Sequence, residues 1–416
     1  MTCPAAALPA ARPAVPPAAP AAPALQRPVD AATRRRRFYL FASVTISFLA
    51  GSSAPTPLYP IYQAMWGFAP LTVGAIFATY ALVLLAALLV LGRLSDHVGR
   101  RPVIVVAALV QAVAMAVFAT AQDTSALFIA RIVQGFATGA AIAAIGAAML
   151  DLDKQHGTLA NAVAPALGTA SGAVLSGVLV HWLPQPTHLV YWVLGTAYVL
   201  QAAAVASMPE PGRRVPGALA SLRPRFAASP QARAALRIAA PAVLAGWSLA
   251  GFAASLGPAL VKREFSLDAS LGGGFALFAL AGSAGATVLA MRRADEKTLL
   301  GFGATALLGG MAGMLLALEG GSPFVYLAFS VVAGAGFGAS FQGGVRSVLA
   351  AASAADRAGA LSVLFVLSYL AMGLPAVAAG AIVAATGNLH DTAMGFGFAV
   401  IGLAVLARLG VRGLEG

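Results

Sequence analysis

The 416-residue chain has one cysteine, three lysines and little charge of any kind: Asp, Glu, Lys and Arg together make up 10%, against roughly a quarter in a typical soluble domain. With Cys3 alone, an intrachain disulfide and a cysteine-built zinc site are both excluded. Hydrophobic residues make up 60% and the mean hydropathy is +0.85, which excludes a water-soluble globule of this size. No lysine follows a Gly-x-x-x-x-Gly, so no Walker loop is present, and neither His-Glu-x-x-His nor Gly-x-Ser-x-Gly occurs. The five histidines, His97, His156, His181, His188 and His390, fall near the ends of apolar stretches in no metal-ligand spacing. An enzyme, a bound metal and a cofactor are therefore not expected. The run Gly334-Ala-Gly-Phe-Gly338 has the look of a dinucleotide loop. It lies inside an apolar stretch without a preceding strand, so it is read as helix.

What is present is long runs without charge. The two longest, residues 38–92 and 155–209, each hold two membrane spans and a turn, because one helix crosses the bilayer with ~20 apolar residues. Pro55, Pro57, Pro60 and Pro70 mark the first turn, and Pro184 and Pro186 the second. The stretches 102–122, 132–150, 238–261, 269–291, 298–318, 320–345, 358–390 and 392–407 each hold one span, the last a short one. Twelve spans follow. They lack the alternation of a barrel strand, so they are helices. The 45 glycines suit close helix contact.

Basic residues set the orientation. With the N-terminus inside, 23 of the 26 lysines and arginines fall in cytoplasmic segments, only Lys262 and Arg263 fall outside, and Arg131 lies within a span. Both termini are expected in the cytoplasm and the chain in the inner membrane, as a multi-pass protein. The basic residues track loops and form no aromatic-interleaved stripe, so nucleic acid is not a partner. The chain divides into residues 1–37, an Ala/Pro-rich disordered tail ending in a basic cluster; 38–208, a six-helix bundle; 209–236, a cytoplasmic linker; and 237–416, a second six-helix bundle. Each half has a basic loop between its second and third spans, as duplication would leave. The fold class expected is an all-α membrane protein of two pseudo-symmetric six-helix bundles, acting as a monomer, with a solute site between them near mid-membrane.

Residues 92–102 read Gly-Arg-Leu-Ser-Asp-His-Val-Gly-Arg-Arg-Pro. Gly92 permits close helix approach, Gly99 a turn with positive φ, and Asp96 can pair with an arginine or meet a helix N-terminus. Such a loop can latch the cytoplasmic side in one state and release it in another; the bland alternative is a solvated basic loop. Here the chain resembles the major facilitator superfamily, whose loop between spans two and three is Gly-x-Leu-x-Asp-Arg-x-Gly-Arg-Lys/Arg. Gly92, Leu94, Asp96, Gly99, Arg100 and Arg101 match, and His97 replaces the usual arginine. Span four, Arg131-Ile-Val-Gln-Gly-Phe-Ala-Thr-Gly139, resembles the superfamily's Arg-x-x-Gln-Gly-x-x-x-Gly/Ala. The resemblance implies a tie to proton coupling for Arg131, with Gln134 beside it. Two alternatives stand: Arg131 snorkels to the outer interface, or it staples helices through carbonyls. Span five, Gly168 to Gly177, is similar to the drug/proton antiporter signature with Ala173 for the proline and Ser176 for a glycine. Plain small-residue packing accounts for it equally.

One departure stands out. Many proton-driven exporters of the superfamily carry a carboxylate in the first span, whereas residues 38–63 here offer only neutral polar groups. The resemblance places the cavity on spans 1, 4, 7 and 10 with help from 2, 5, 8 and 11, where Tyr59, Tyr80, Gln134, Asn161, Trp247, Gln342 and Tyr369 are the polar or aromatic candidates. For each, an interhelical hydrogen bond or an interfacial anchor is the alternative role. Trp182, Tyr191 and Trp192 are assigned to the aromatic belt. The function expected is a secondary transporter working by alternating access, an exporter of drug-like or small amphiphilic molecules, with exchange for protons implied by the resemblance. The alternatives are a carrier of an organic anion or small metabolite in either direction, and a non-transporting membrane sensor.

Overall fold

The structure, a computed structural model, describes residues 30–412 apart from positions 213, 225 and 355. Among the described residues there is no strand, and 12 helical segments are long and apolar enough to cross a membrane. Spans 1 to 6 are Ala31–Trp66, Pro70–Leu91, Arg100–Ala119, Thr124–Leu152, Lys154–Trp182 and Leu189–Ala206. Spans 7 to 12 are Pro230–Ser255, Ala269–Ala290, Glu296–Glu319, Pro323–Ala351, Arg357–Thr386 and Leu389–Arg412.

Several boundaries differ from the sequence expectation. Span 1 begins at Ala31, so the basic cluster Arg34 to Arg37 lies on its first turns rather than in a tail; residues 1–29 fall outside the described residues. Pro55, Pro57 and Pro60 do not form the first turn. They break span 1 into a helix to Ser53, a 3-10 turn over Thr56–Leu58 and a helix over Tyr59–Trp66. The turn itself is Gly67 to Ala69: Gly67 ends the helix at φ 67° and Pro70 starts span 2. Proline has no amide hydrogen and cannot say alone whether a chain turns or merely breaks. The linker ends at Ser229, since span 7 starts at Pro230, and holds a short helix over Ala218–Ser221. Span 12 runs to Arg412 and is not short.

Four of the scarce acids are helix caps. Asp123, Asp153, Asp268 and Asp295 accept hydrogen bonds from the first free amides of spans 4, 5, 8 and 9. Such groups favour a negative oxygen. Hydrogen bonds from the His156 backbone and ring hold the Asp153 carboxyl below the usual carboxylate range. The Thr298 hydroxyl and amide do the same for Asp295.

The packing repeats between halves. Span 4 packs on spans 2 and 3, span 3 on span 6, and span 1 on span 5; span 10 packs on spans 8 and 9, span 9 on span 12, and span 7 on span 11. Spans 2 and 8 begin at residues 70 and 269 and spans 4 and 10 at 124 and 323, the same offset of 199. The glycines follow that offset. Gly135 and Gly139 of span 4 lie on the backbone of Tyr80 and Leu84 in span 2, and Gly334 and Gly338 of span 10 on that of Leu280 and Ala284 in span 8. The apparent dinucleotide run is thus a helix-packing surface. Between bilayer helices association comes from close packing rather than from expulsion of water, and a glycine lets two backbones touch.

The halves meet along two seams, span 2 on span 11 and span 5 on span 8. Toward the start of spans 2 and 8 a glycine again faces a carbonyl in both seams: Gly74 faces Ala376, Gly380 faces Pro70, Gly177 faces Ser270 and Gly274 faces Ala173. These contacts hold the halves together at that end.

A β-carbon added at Gly139 would lie 2.4 Å from the Leu84 carbonyl oxygen, whereas nothing lies within 4 Å of Gly309. Gly139→Val should therefore lower stability by about 1–3 kcal/mol through overpacking, while Gly309→Ala should be neutral or stabilise by about 0.5–1 kcal/mol. Thermal melts of the purified variants in one detergent check this.

Candidate functional site

The break in span 1 sets the first part of the site. Pro55 has no amide hydrogen to offer the Gly51 carbonyl one turn before it, and the hydrocarbon interior supplies no water in its place. Gln134 of span 4 donates to that carbonyl through Nε2 at 2.9 Å. Arg131 donates to the next carbonyl, Ser52, at 3.0 Å through Nη1. Ser176 of span 5 donates to the Ala54 carbonyl at 2.6 Å. Arg131 also reaches across the break: Nη2 and Nε donate to the Tyr59 hydroxyl at 2.6 and 3.2 Å. Nη1 is also bonded to Gln134 Oε1 at 2.6 Å.

The Arg131 side chain is 0% exposed. The rings of Tyr59, Tyr80 and Phe118 stand 5.8, 5.1 and 5.6 Å from its guanidinium carbon. One backbone carbonyl, one side-chain amide, one hydroxyl and three ring faces surround the charge, and no carboxylate among the described residues is bonded to it. The side chain thus does not snorkel: it joins span 4 to both segments of span 1 through the Ser52 carbonyl and the Tyr59 hydroxyl. Tyr191 is likewise buried and not in the aromatic belt. Its ring stacks on Phe118 at 4.9 Å, and Tyr62 donates to its hydroxyl at 3.3 Å. Trp182 and Trp192 are 63% and 50% exposed, as belt residues are.

At the end where spans 2 and 3 meet, the loop residues Asp96, Gly99, Arg100 and Arg101 form one network. Gly99 turns at φ 110° and opens span 3. The Arg100 guanidinium pairs with Asp96, donates to Asp151 at the end of span 4 at 3.2 Å and to Ser95 at 2.9 Å. The network also reaches the linker. Glu210 accepts from the Arg100 and Arg101 amides at 2.7 and 3.2 Å, the first free N–H groups of span 3. His97, standing where the family has arginine, lies 2.8 Å from the Val215 carbonyl, whose own amide bonds the Asp96 carbonyl at 3.0 Å. Among the described residues these contacts join spans 2, 3 and 4 to the linker and do not cross to spans 7–12. Gly92 ends span 2 with only Leu88 of its own helix as its nearest neighbour, so it brings no second helix close.

In the second half the candidates gather around Trp247 of span 7. Phe337 and Phe341 of span 10 meet its ring edge-on at 5.4 and 5.3 Å, and Tyr369 of span 11 lies tilted at 5.3 Å. Tyr369 and Tyr80 share one buried cluster that spans both halves. The Tyr80 hydroxyl, Trp247 Nε1, Gln342 Oε1 and Thr138 hydroxyl are among the buried polar atoms without a well-formed hydrogen bond, as are the Thr56 and Ser340 hydroxyls and the Gln111 amide; the Tyr80 hydroxyl faces those of Ser52 and Thr138. Asn161 is not brought into this group. Its amide donates to the Gly146 carbonyl at 3.1 Å and ties span 5 to span 4. Tyr59 and Gln134 are likewise committed to Arg131.

Sequence reasoning missed Glu210, Ser176 and Arg346. Arg346 donates to the Ala294 and Arg292 carbonyls at 2.5 and 2.7 Å, pinning the loop between spans 8 and 9 as Arg100 pins its counterpart. A carboxylate fixed between Pro209 and Pro211 just past span 6 was the one available signal for Glu210.

Comparison with known proteins agrees with this geometry. Residues 40–376 match the model of the Major Facilitator Superfamily. The chain is similar to a mutant of the nucleoside transporter NupG, with a TM-score of 0.70 and 13% identity over 91% of this chain and 99% of that one. It is equally similar to a bacterial homolog of the human lysosomal transporter Spinster in an inward-facing, occupied conformation, with a TM-score of 0.70 and 13% identity over 91% and 97%. At that identity the likeness shows a shared fold.

Arg131→Ala should leave the Ser52 carbonyl and Tyr59 hydroxyl unmet, at about 1–3 kcal/mol for each buried group. Arg131→Lys should recover only part of the loss, because one ammonium cannot fork to both sides of the break. Denaturation of the three proteins in the same micelles would show it; an Arg131→Ala protein as stable as wild type would refute the staple.

Proposed function

The chain belongs to the Major Facilitator Superfamily and is a secondary transporter, and from that premise we propose that it moves small amphiphilic organic molecules across the membrane by alternating access, in the direction of export. The observation that carries the reading is the set of unpaired polar atoms on Tyr80, Thr138, Trp247 and Gln342. They come from spans 2, 4, 7 and 10, and hence from both halves. Each unmet buried group costs about 1–3 kcal/mol. A solute that pairs with them and fills the aromatic surroundings relieves that cost.

The two halves rock about this site while the seams part on one side at a time. In the state described, glycine contacts close the outer ends. The Asp96–Arg100–Asp151 network holds spans 2, 3 and 4 as one body and anchors the linker at Glu210. Spans 2–4 therefore move together when the cytoplasmic side closes. Both termini lie in the cytoplasm on the distribution of basic residues, and one chain carries both halves, so a monomer suffices.

The resemblance of span 5 to the antiporter signature supports export and exchange for protons. The described acids do not add to the second point: Asp153 and Asp295 cap helices with lowered pKa, and Asp151 pairs with Arg100. Transport of an organic anion through Arg131 is disfavoured because that side chain has no exposed surface and is bonded on both sides of the break. A sensor would need a folded soluble domain. The described linker offers one short helix and contacts to the loop between spans 2 and 3.

The test is flux in reconstituted vesicles. A library of amphiphilic molecules should contain solutes that wild-type protein moves and that an Asp96→Asn protein, present in the membrane in equal amount, does not. Normal flux by Asp96→Asn would reject the cytoplasmic network as a moving part, and no flux of any amphiphile by wild type would reject the substrate class.

A further inference from the structure

The mid-membrane aromatic group also bears on the charge of the solute. Among the described residues no carboxylate lies in the middle of a span. Asp151 and Glu319 end spans 4 and 9, and Glu296 and Asp391 lie in the first turns of spans 9 and 12. The one charge at depth is Arg131. It is fully buried, its donors are held by Ser52, Tyr59 and Gln134, and the Tyr80 ring covers it at 5.1 Å. Tyr80 and Tyr369 belong to one buried cluster, and around Trp247 the packing is aromatic: Tyr369, Phe337 and Phe341, with Phe365 6.4 Å from Phe341. On these spans one donor, Trp247 Nε1, and one acceptor, Gln342 Oε1, are buried without a partner, as is the Tyr80 hydroxyl, which does both.

We infer that this site selects neutral aromatic solutes that carry both a hydrogen-bond acceptor and a donor on the ring edge, and rejects organic cations and anions. The inference rests on the mid-membrane site proposed above. A cation entering between the spans sheds its hydration and finds no counter-carboxylate. The nearest ring face, that of Tyr80, is already turned to a guanidinium, so the local field is positive. An anion has the favourable sign but meets no free cation, since Arg131 is covered by the Tyr80 ring and bonded elsewhere; the neutral indole N–H and phenol hydroxyl alone do not offset the loss of its hydration. A neutral ring packs edge-to-face on the aromatic lining. Its acceptor takes the indole N–H and its donor meets the Gln342 carbonyl. A plain hydrocarbon would leave both unpaired, which a site built on hydrogen bonds rejects.

The experiment measures thermal stabilisation of the purified full-length protein by benzamide, phenyltrimethylammonium, benzoate and toluene, four probes on one ring. Benzamide should stabilise and the other three should not. Trp247→Phe and Gln342→Leu should each weaken benzamide binding roughly tenfold, the effect of one lost hydrogen bond in a closed site. Both variants must first melt like wild type without probe, and Tyr80→Phe serves as a third should either fail. Stabilisation by the cation or the anion that disappears in Trp247→Phe and Gln342→Leu would overturn the charge preference and leave the site standing. Benzamide binding unchanged in all the variants would overturn the site, and with it the inference. Absence of benzamide binding would overturn the inference.

Discussion

A broken helix in hydrocarbon needs donors that its own backbone cannot give. Pro55 and Pro57 place that need inside span 1, and Gln134, Arg131 and Ser176 meet it from spans 4 and 5. Each exposed carbonyl would otherwise cost several kcal/mol. The first half is organised around this repair. Arg131 grips Ser52 before the break and Tyr59 after it, so the two segments of span 1 keep one geometry relative to span 4. The charge that belongs to the break sits on span 4, and its partners are the Ser52 carbonyl, the Tyr59 hydroxyl and the Gln134 side chain, all neutral.

The second half repeats the plan without the charge. Span 7 is followed by Gly257–Phe265, a segment related to span 1's Tyr59–Trp66 by its place in the order. At the offset of 199, Ser330 stands where Arg131 does, and its hydroxyl bonds only the Tyr326 carbonyl of its own helix at 2.8 Å. The polar edges of this half are instead Trp247 and Gln342, which have no partner inside the protein. The first half thus holds its buried charge with its own groups, and both halves present unmet polar atoms, Tyr80 and Thr138 in one and Trp247 and Gln342 in the other. Glycine-on-carbonyl contact joins them along the two seams, with one polar pair at the rim, His181 of span 5 lying 3.6 Å from the Asp268 carboxylate that caps span 8.

Much of this was legible because the bilayer penalises charge so steeply. The charge-free stretches located all twelve spans, and the positive φ at Gly99 followed from a Gly flanked by a short loop. What was not legible depended on contacts across the chain. The prolines at 55 to 60 read as a turn, since nothing local distinguishes a break from a reversal. The true stop was Gly67, in the left-handed region. Arg131 left three roles open, and only the position of span 1 against span 4 shows that it bonds both segments of the broken helix. Asn161 and Gln342 are both amides in apolar helices, yet one finds a carbonyl partner and the other does not. Glu210 acts on amides more than a hundred positions away, beyond the reach of any motif.

The central claim is that the two halves tilt as bodies about a mid-membrane site. Spin-label distances test it most directly, and the single cysteine makes labelling simple once Cys3 is replaced by serine. One pair at Leu183 and Leu267 reports one end of the bundles, and a second at Lys154 and Arg293 the opposite end; all four positions are exposed. In lipid nanodiscs with a transported solute the account predicts two populations, the first distance lengthening as the second shortens. Distances that stay single, or that lengthen together, would contradict it.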